Sequence, residues 1–332
     1  MATDIKPRVG FLGTGWIGRH RMAAMIAGGR IDAAAISDPS AAMLAEARAL
    51  APDAQPCGSL EELLALGLDG VVIATPSAMH AAQSIQALEA GTAVFCQKPL
   101  GRDAAETAGV VAAARRADRL LGVDLSYRFT AGMQRIAPLV RGGALGRLFA
   151  IDLTFHNAYG PDKPWFYDRA QAGGGCVMDL GIHLADLALW LTDGVDVAGV
   201  DAVLRAGGAP LRDDAVEDYA AATVRLANGV TVRLTCSWRL HAGQDAVIEA
   251  AFYGTEGGAA LRNVDGSFYD FTAEHFHGTA RETLALPPDD WGGRAAVDWA
   301  ERLAAGARFD AASQEYVATA RVLDAIYAAG AR

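Results

Sequence analysis

Residues 8–18 read Arg8-Val9-Gly10-Phe11-Leu12-Gly13-Thr14-Gly15-Trp16-Ile17-Gly18. The short apolar run Arg8–Leu12 has the composition of a strand and leads straight into Gly13-x-Gly15-x-x-Gly18. A helical stretch from Trp16 to Ala27 follows. A GxGxxG pattern alone carries little information. Strand, glycine turn and helix in that order are the context a dinucleotide site requires. Gly13 permits the tight turn, Gly15 lets a pyrophosphate approach the backbone, and Gly18 allows close packing of helix on sheet. The helix start offers free N–H groups and the positive end of a dipole to an anion. Gly13, Thr14, Gly15, Trp16, Ile17 and Gly18 are therefore candidate cofactor residues, with an ordinary glycine turn as the plain alternative.

Outward from this turn, strands and helices alternate. Asp32–Ser37 is a second strand, Gly70–Thr75 a third, and Ala93–Cys96 and Leu120–Val123 follow. Between them Ala41–Leu50, Ala78–Ala90 and Asp103–Ala117 read as helices. Ser59-Leu60-Glu61-Glu62 resembles a capping box. Such alternation implies a parallel sheet with helices on both faces, a doubly wound Rossmann arrangement. After about residue 125 the pattern changes. Phe149–Phe155 is a strand, and a polar, aromatic loop with Asn157, Tyr159, Trp165 and Tyr167 follows. Gly173-Gly174-Gly175 then opens a helix through Leu191, and strands dominate from Val195 to Phe271. Asn228-Gly229 between two strand runs is a hairpin signal. Two helical stretches close the chain, near Arg294–Ala304 and Ala311–Ala328. The expected organisation is an α/β chain: a nucleotide domain over 1–125, then an α+β domain over 126–332 with a mixed, largely antiparallel sheet and helices on one face.

Length supports two domains, since a single core stops growing at about 250–300 residues and this chain has 332. The formal net charge of −10 argues against nucleic acid and anionic membranes as partners, which call for surplus Lys and Arg. No stretch of about 18 or more apolar residues suggests a membrane span, and the apolar run near the start is too short for a signal peptide. Cys57, Cys96, Cys176 and Cys236 form no CxxC pair and read as buried thiols of a reduced, cytoplasmic protein.

Asp38 ends the second strand, twenty positions after Gly18. A carboxylate there accepts hydrogen bonds from adenosine ribose hydroxyls and repels a 2′-phosphate, which favours NAD over NADP. The segment Asp38-Pro39-Ser40 also suits a plain turn. Thr75-Pro76-Ser77 ends the third strand, where ligands bind in such sheets. His80, just beyond, has two readings, a cofactor contact or a helix cap. Lys98 follows another strand, in Gln97-Lys98-Pro99. A cation there can hold a substrate hydroxyl and stabilise a developing alkoxide, and Pro99 is a candidate for a cis bond. Asp179 and His183 are four apart and share a face if the segment is helical. A carboxylate beside an imidazole raises its basicity, and the imidazole can take a hydroxyl proton as hydride leaves carbon. An ordinary helix salt bridge is the alternative. His275-x-His277 lacks an evident third ligand, so no metal site is expected.

Together these motifs resemble the Gfo/Idh/MocA family (glucose–fructose oxidoreductase, inositol dehydrogenase, rhizopine catabolism). The carriers are Gly13–Gly18, Thr75-Pro76-Ser77-x-x-His80, Gln97-Lys98-Pro99, Tyr127-Arg128-Phe129 and the glycine run leading to Asp179 and His183. The resemblance implies oxidation of a ring hydroxyl in a sugar or cyclitol, or the reverse reduction, with NAD or NADP. It implies Lys98 on the reacting oxygen, Asp179 as acidic partner and His183 as general base. It also implies a homodimer or homotetramer built through the open sheet. Gln97 and Lys98 fall beside the cofactor, and Tyr127 and Arg128 beside the substrate. Two departures stand out: Gln97 replaces the family's usual Glu, and Tyr127 stands where many members carry Asn. The aromatic loop suggests Tyr159 or Trp165 as a stacking surface for a sugar ring, with loop packing as the alternative. Two other activities fit the same fold. One is a glycosidase or lyase that recycles bound NAD. The other is a nucleotide-binding sensor, which would have no need of the Lys98, Asp179 and His183 set.

Overall fold

The computed structural model describes residues 6–212 and 215–331. Met1–Ile5, at the start of the stretch read against a signal peptide, lie outside the described residues. The chain forms two compact units. Among the described residues, the first holds 6–126 and Gly292–Val317, the second Tyr127–Trp291 and 318–331.

The first unit contains a six-stranded parallel sheet of β1 (Arg8–Leu12), β2 (Asp32–Ser37), β3 (Gln55–Pro56), β4 (Gly70–Ile73), β5 (Ala93–Cys96) and β6 (Leu121–Val123). Its order is β3-β2-β1-β4-β5-β6, the doubly wound order with its switch point between β1 and β4. β4 and β5 are buried at every residue, as central strands covered on both faces must be. The helices are α1 (Trp16–Gly28), α2 (Ala41–Leu50), α3 (Leu60–Leu64), α4 (Ser77–Glu89) and α5 (Ala104–Ala117). Local capping sets the starts of α3 and α5. Ser59 accepts from the Glu62 N–H, and Glu62 reaches back to the Gly58 N–H at 2.7 Å. Asp103 caps α5 through the Glu106 N–H at 2.8 Å.

Residues 292–317 depart from the expected boundaries. They were read with the second domain, yet they pack in the first. The reason is Trp299, which is 2% exposed and lies 5.9 Å, ring to ring, from Phe95 of β5. A Cβ on Gly70 would meet the Trp299 ring at 2.6 Å, and one on Gly122 at 2.7 Å. The missing side chains of β4 and β6 thus make the slot for a tryptophan delivered from nearly two hundred residues away.

The second unit contains β7 (Leu148–Asn157), β8 (Val197–Ala206), β9 (Ala209–Pro210), β10 (Tyr219–Leu226), β11 (Thr231–Ser237), β12 (Ala246–Gly254), β13 (Gly258–Asn263), β14 (Phe271–His277) and β15 (Ala280–Ala285). Their order is β15-β14-β13-β12-β7-β11-β10-β8-β9, antiparallel except for the parallel β7–β11 pair. Asn228-Gly229 turns β10 into β11, with Gly229 at φ 88°. The strand expected at Phe268–Phe271 instead starts at Phe271 and runs through His275 and His277. α6 (Ala131–Arg141) lies against β13 and β14. α7 (Arg169–Ala172), a π turn (Val177–Gly181) and α8 (Ile182–Leu191) follow, the π turn packing on β11 and α8 on β7 and β11. Residues Arg169–Leu191 are long and apolar enough to cross a membrane, contrary to the reading from the sequence. They form a core element instead, because the most apolar window is 89% buried inside the protein. α9 (Arg294–Ala304) belongs to the first unit, and α10 (Gln314–Gly330) enters the second at Ala318.

Candidate active site

On the first unit the glycine turn is shaped by two kinds of constraint. Gly13 has φ 85°, donates its N–H to the Ser37 carbonyl at 2.8 Å, and a Cβ on it would lie 2.5 Å from the Ala74 carbonyl oxygen. A Cβ on Gly18 would lie 2.2 Å from the Gly13 carbonyl oxygen. These two glycines are dictated by the protein's own backbone. Gly15 is not, since a Cβ there would meet nothing within 4 Å. It leads into α1, whose start has no side-chain cap and no acidic residue in its first turn. An open, uncapped helix N-terminus beside a glycine fits a pyrophosphate. Trp16 is exposed at this edge, and Thr14 is buried.

Asp38 holds this turn from the next strand. One carboxylate oxygen accepts the Thr14 N–H at 2.7 Å, the other the Ser40 N–H at 2.8 Å. The turn-forming reading of Asp38-Pro39-Ser40 is thus realised in the hydrogen bonds. Thr75 donates to the Gln83 side chain at 2.6 Å, and Pro76 and Ser77 start α4. His80 neither caps a helix nor faces outward. It is buried, with Nδ1 2.7 Å from the Pro99 carbonyl and Nε2 2.7 Å from the Thr75 carbonyl. It ties the end of β4 to the residue after Lys98. Burial pushes its pKa down, so the neutral ring donates to one carbonyl at a time.

Lys98 is half-buried at the end of β5, and the Lys98–Pro99 peptide is cis. Gln97 is buried and donates from Nε2 to Asp124 Oδ2 at 2.7 Å. Arg21 of α1 donates to the same oxygen at 2.7 Å, and Asp124 is 2% exposed. The amide at position 97 therefore sits in a buried network with one carboxylate and one guanidinium. The sequence reading did not single out Arg21 or Asp124.

On the second unit, Asp179 lies in the π turn and His183 in the first turn of α8. Asp179 Oδ2 accepts the indole N–H of Trp238 at 3.0 Å. His183 is buried and packs 4.9 Å from the Tyr127 ring. Tyr127 itself is nested among Phe155, Phe271 and Trp291, and burial pushes its phenol pKa up. Trp165 stacks on Phe166 at 3.8 Å, and Phe166 and Tyr167 meet Trp238 edge-on. The aromatic loop thus leans on the residue that holds Asp179. Tyr159 points elsewhere: it is exposed, its hydroxyl donates to Asp245 at 2.6 Å, and that bond raises its pKa. Arg128 forms a two-pronged pair with Asp186 (2.8 and 2.5 Å) and lies over Trp190.

Trp238 and Glu217 were missed on the sequence. Trp238 ends a strand run, a position with a readable signal, whereas Glu217 is one acid in a polar stretch and gives none. His275 and His277 meet edge-on on β14 with ring centroids 4.4 Å apart, and among the described residues no group of three or more His, Cys, Asp or Glu could hold a metal ion. All four cysteines are buried and free.

Residues 7–125 match the model of an oxidoreductase family with an NAD-binding Rossmann fold, and residues 133–260 match the GFO/IDH/MocA C-terminal domain. The inositol 2-dehydrogenase of Leifsonia xyli subsp. xyli is 31% identical over 259 residues, 76% of this chain and 72% of that one. The 1,5-anhydro-D-fructose reductase of Ensifer adhaerens is 31% identical over 210 residues, 62% of this chain and 61% of that one. For that enzyme and three others, the matched stretch spans between 53% and 61% of their length. A levoglucosan dehydrogenase crystallised with NADH and L-sorbose superimposes with a TM-score of 0.84 over 98% of this chain and 97% of that one, at 21% identity, which speaks to the fold. The chain belongs to the Gfo/Idh/MocA oxidoreductase family, and its first unit is that family's NAD-binding Rossmann domain.

Proposed function

We propose that the protein is a nicotinamide-dependent oxidoreductase acting on a ring hydroxyl or ketone of a sugar, sugar derivative or cyclitol. When bound, the nicotinamide supplies the hydride-exchanging carbon. The chain's residues do the rest. The uncapped start of α1 and Gly15 hold the pyrophosphate. Asp38, at the end of β2, faces the adenosine ribose and disfavours a 2′-phosphate, which favours NAD over NADP. Thr75, Pro76, Ser77 and Gln97 line the crevice at the ends of the parallel strands. Lys98 binds the reacting oxygen and stabilises its negative charge. His183 takes the hydroxyl proton, and Asp179 orients and tunes the imidazole. Trp165 offers a face to the sugar ring.

The observation that carries this reading is His183, an imidazole buried against Tyr127 four residues after a carboxylate held by Trp238. The relatives' named substrates, inositol and anhydrofructose, support the substrate class. We further propose a homodimer or homotetramer through the outer face of the nine-stranded sheet, where arginine–carboxylate pairs such as Arg233–Asp152 and Arg262–Glu249 stand exposed or half-buried. A cytoplasmic location agrees with four unpaired, buried thiols.

The test is NADH absorbance with NAD or NADP over a panel of sugars and cyclitols, with His183→Ala alongside. Turnover that depends on His183 supports the reading. Silence across the panel, with cofactor still bound, moves the weight to a sensor, or to a glycosidase or lyase that recycles NAD.

A further inference from the structure

We infer that Glu217 is a positioning residue for Asp179 and His183, capping from the loop before β10 the helical segment that presents them. Glu217 is 1% exposed. Its Oε1 accepts the Gly175 N–H at 2.9 Å, the Val177 N–H at 2.8 Å and the Tyr327 hydroxyl at 2.8 Å. Its main-chain carbonyl accepts the N–H between those two amides, that of Cys176, at 2.9 Å. Three consecutive backbone donors thus end on one residue some forty positions away.

A helix start leaves its first N–H groups without intrahelical partners. Here no local side chain supplies the missing acceptor. A buried side-chain oxygen does so instead, taking three donors at once. The glycines before the segment follow from this. A Cβ on Gly175 would lie 1.9 Å from the Glu217 carbonyl oxygen, and one on Gly174 would lie 1.8 Å from the Tyr327 hydroxyl. The glycine run is the space that Glu217 and Tyr327 occupy. The last capped amide, Val177, opens the π turn. Asp179 stands two residues further on and His183 six. Burial pushes the Glu217 pKa up while its donors pull it down.

The cap rests on the hydrogen bonds alone, and its catalytic consequence rests on the hydride-transfer reading above. The test measures hydrogen–deuterium exchange over residues 173–185 and steady-state kinetics on the full chain. The variants are Glu217→Gln, Glu217→Ala and Tyr327→Phe. Glu217→Gln keeps the accepting oxygen and should stay within about threefold of wild type in both readouts. Glu217→Ala should exchange at least about tenfold faster at 175–183 and lose about a hundredfold in kcat, with KM and NADH affinity little changed. Tyr327→Phe removes one donor only and should show the same split at smaller amplitude, which keeps the test decisive if the alanine variant does not fold. Folded variants with wild-type exchange and wild-type kcat overturn the inference. Faster exchange in Glu217→Ala, in a protein whose wild type turns over no sugar or cyclitol, supports the cap and sinks the hydride-transfer reading instead.

Discussion

The indole N–H of Trp238, the residue after β11, donates to the carboxylate of Asp179 at 3.0 Å. The bond leaves Asp179 less free to turn and joins it to the aromatic loop through Phe166 and Tyr167. Trp238→Phe keeps the ring packing and removes the donor. We expect kcat to fall about tenfold, the scale of one hydrogen bond to a charged group, with KM little changed. Asp179→Asn should cost more, about a hundredfold. A Trp238→Phe enzyme with unchanged kcat would show that Asp179 needs no such anchor.

Asp124, Gln97 and Arg21 form a buried trio around a single carboxylate oxygen. Asp124→Ala strands the Arg21 guanidinium and should cost about 3–5 kcal/mol. Gln97→Glu alone sets a second carboxylate against the first and should also destabilise. Combined with Asp124→Asn, it moves the negative charge across one hydrogen bond and should recover most of the loss. A urea double-mutant cycle with a coupling above about 1 kcal/mol is the expected result. Strict additivity would mean that the two positions do not communicate.

His80 makes stability sensitive to acid. Its folded pKa lies below the ordinary 6.5 because burial disfavours the imidazolium. The unfolded chain therefore binds the proton first as pH falls. The contribution is full above the unfolded pKa and is lost as pH drops through the folded value. Thermal midpoints recorded from pH about 8 to 5 should decline more steeply in wild type than in His80→Gln. Parallel curves would remove His80 from the account.

The thiols should be silent in the native protein. Cys176 and Cys236 are fully buried, with their sulfurs 3.8 Å apart, and burial raises the Cys176 pKa. Burial also pushes Cys96 up to about 12 and raises Cys57. A thiol-reactive dye at pH about 8 should label none of the four until the chain unfolds, because the thiolate is the reactive form. Rapid labelling of the folded protein would show that this interior opens.

What the sequence determined by itself was local. The turn at Gly13 and Gly18 was legible because backbone oxygens within and beside the turn forbid a side chain there. Gly229 in its hairpin was legible for the same kind of reason, a φ that other residues resist. The Ser59–Glu62 cap and the buried strands β4 and β5 also wrote themselves into adjacent residues or a short period. The tertiary structure decided everything that joins distant segments. It took Arg128 into a pair with Asp186 and turned His80 into a tie between two carbonyls. It sent Trp299 back to the glycines of β4 and β6. It brought Trp238 to Asp179 across 59 positions, and Glu217 to the amides of Gly175 and Val177 across 42 and 40. A steric rule acts between neighbours and leaves a pattern in order. A hydrogen bond between distant strands and helices depends on how the chain packs, and no spacing in the sequence records it.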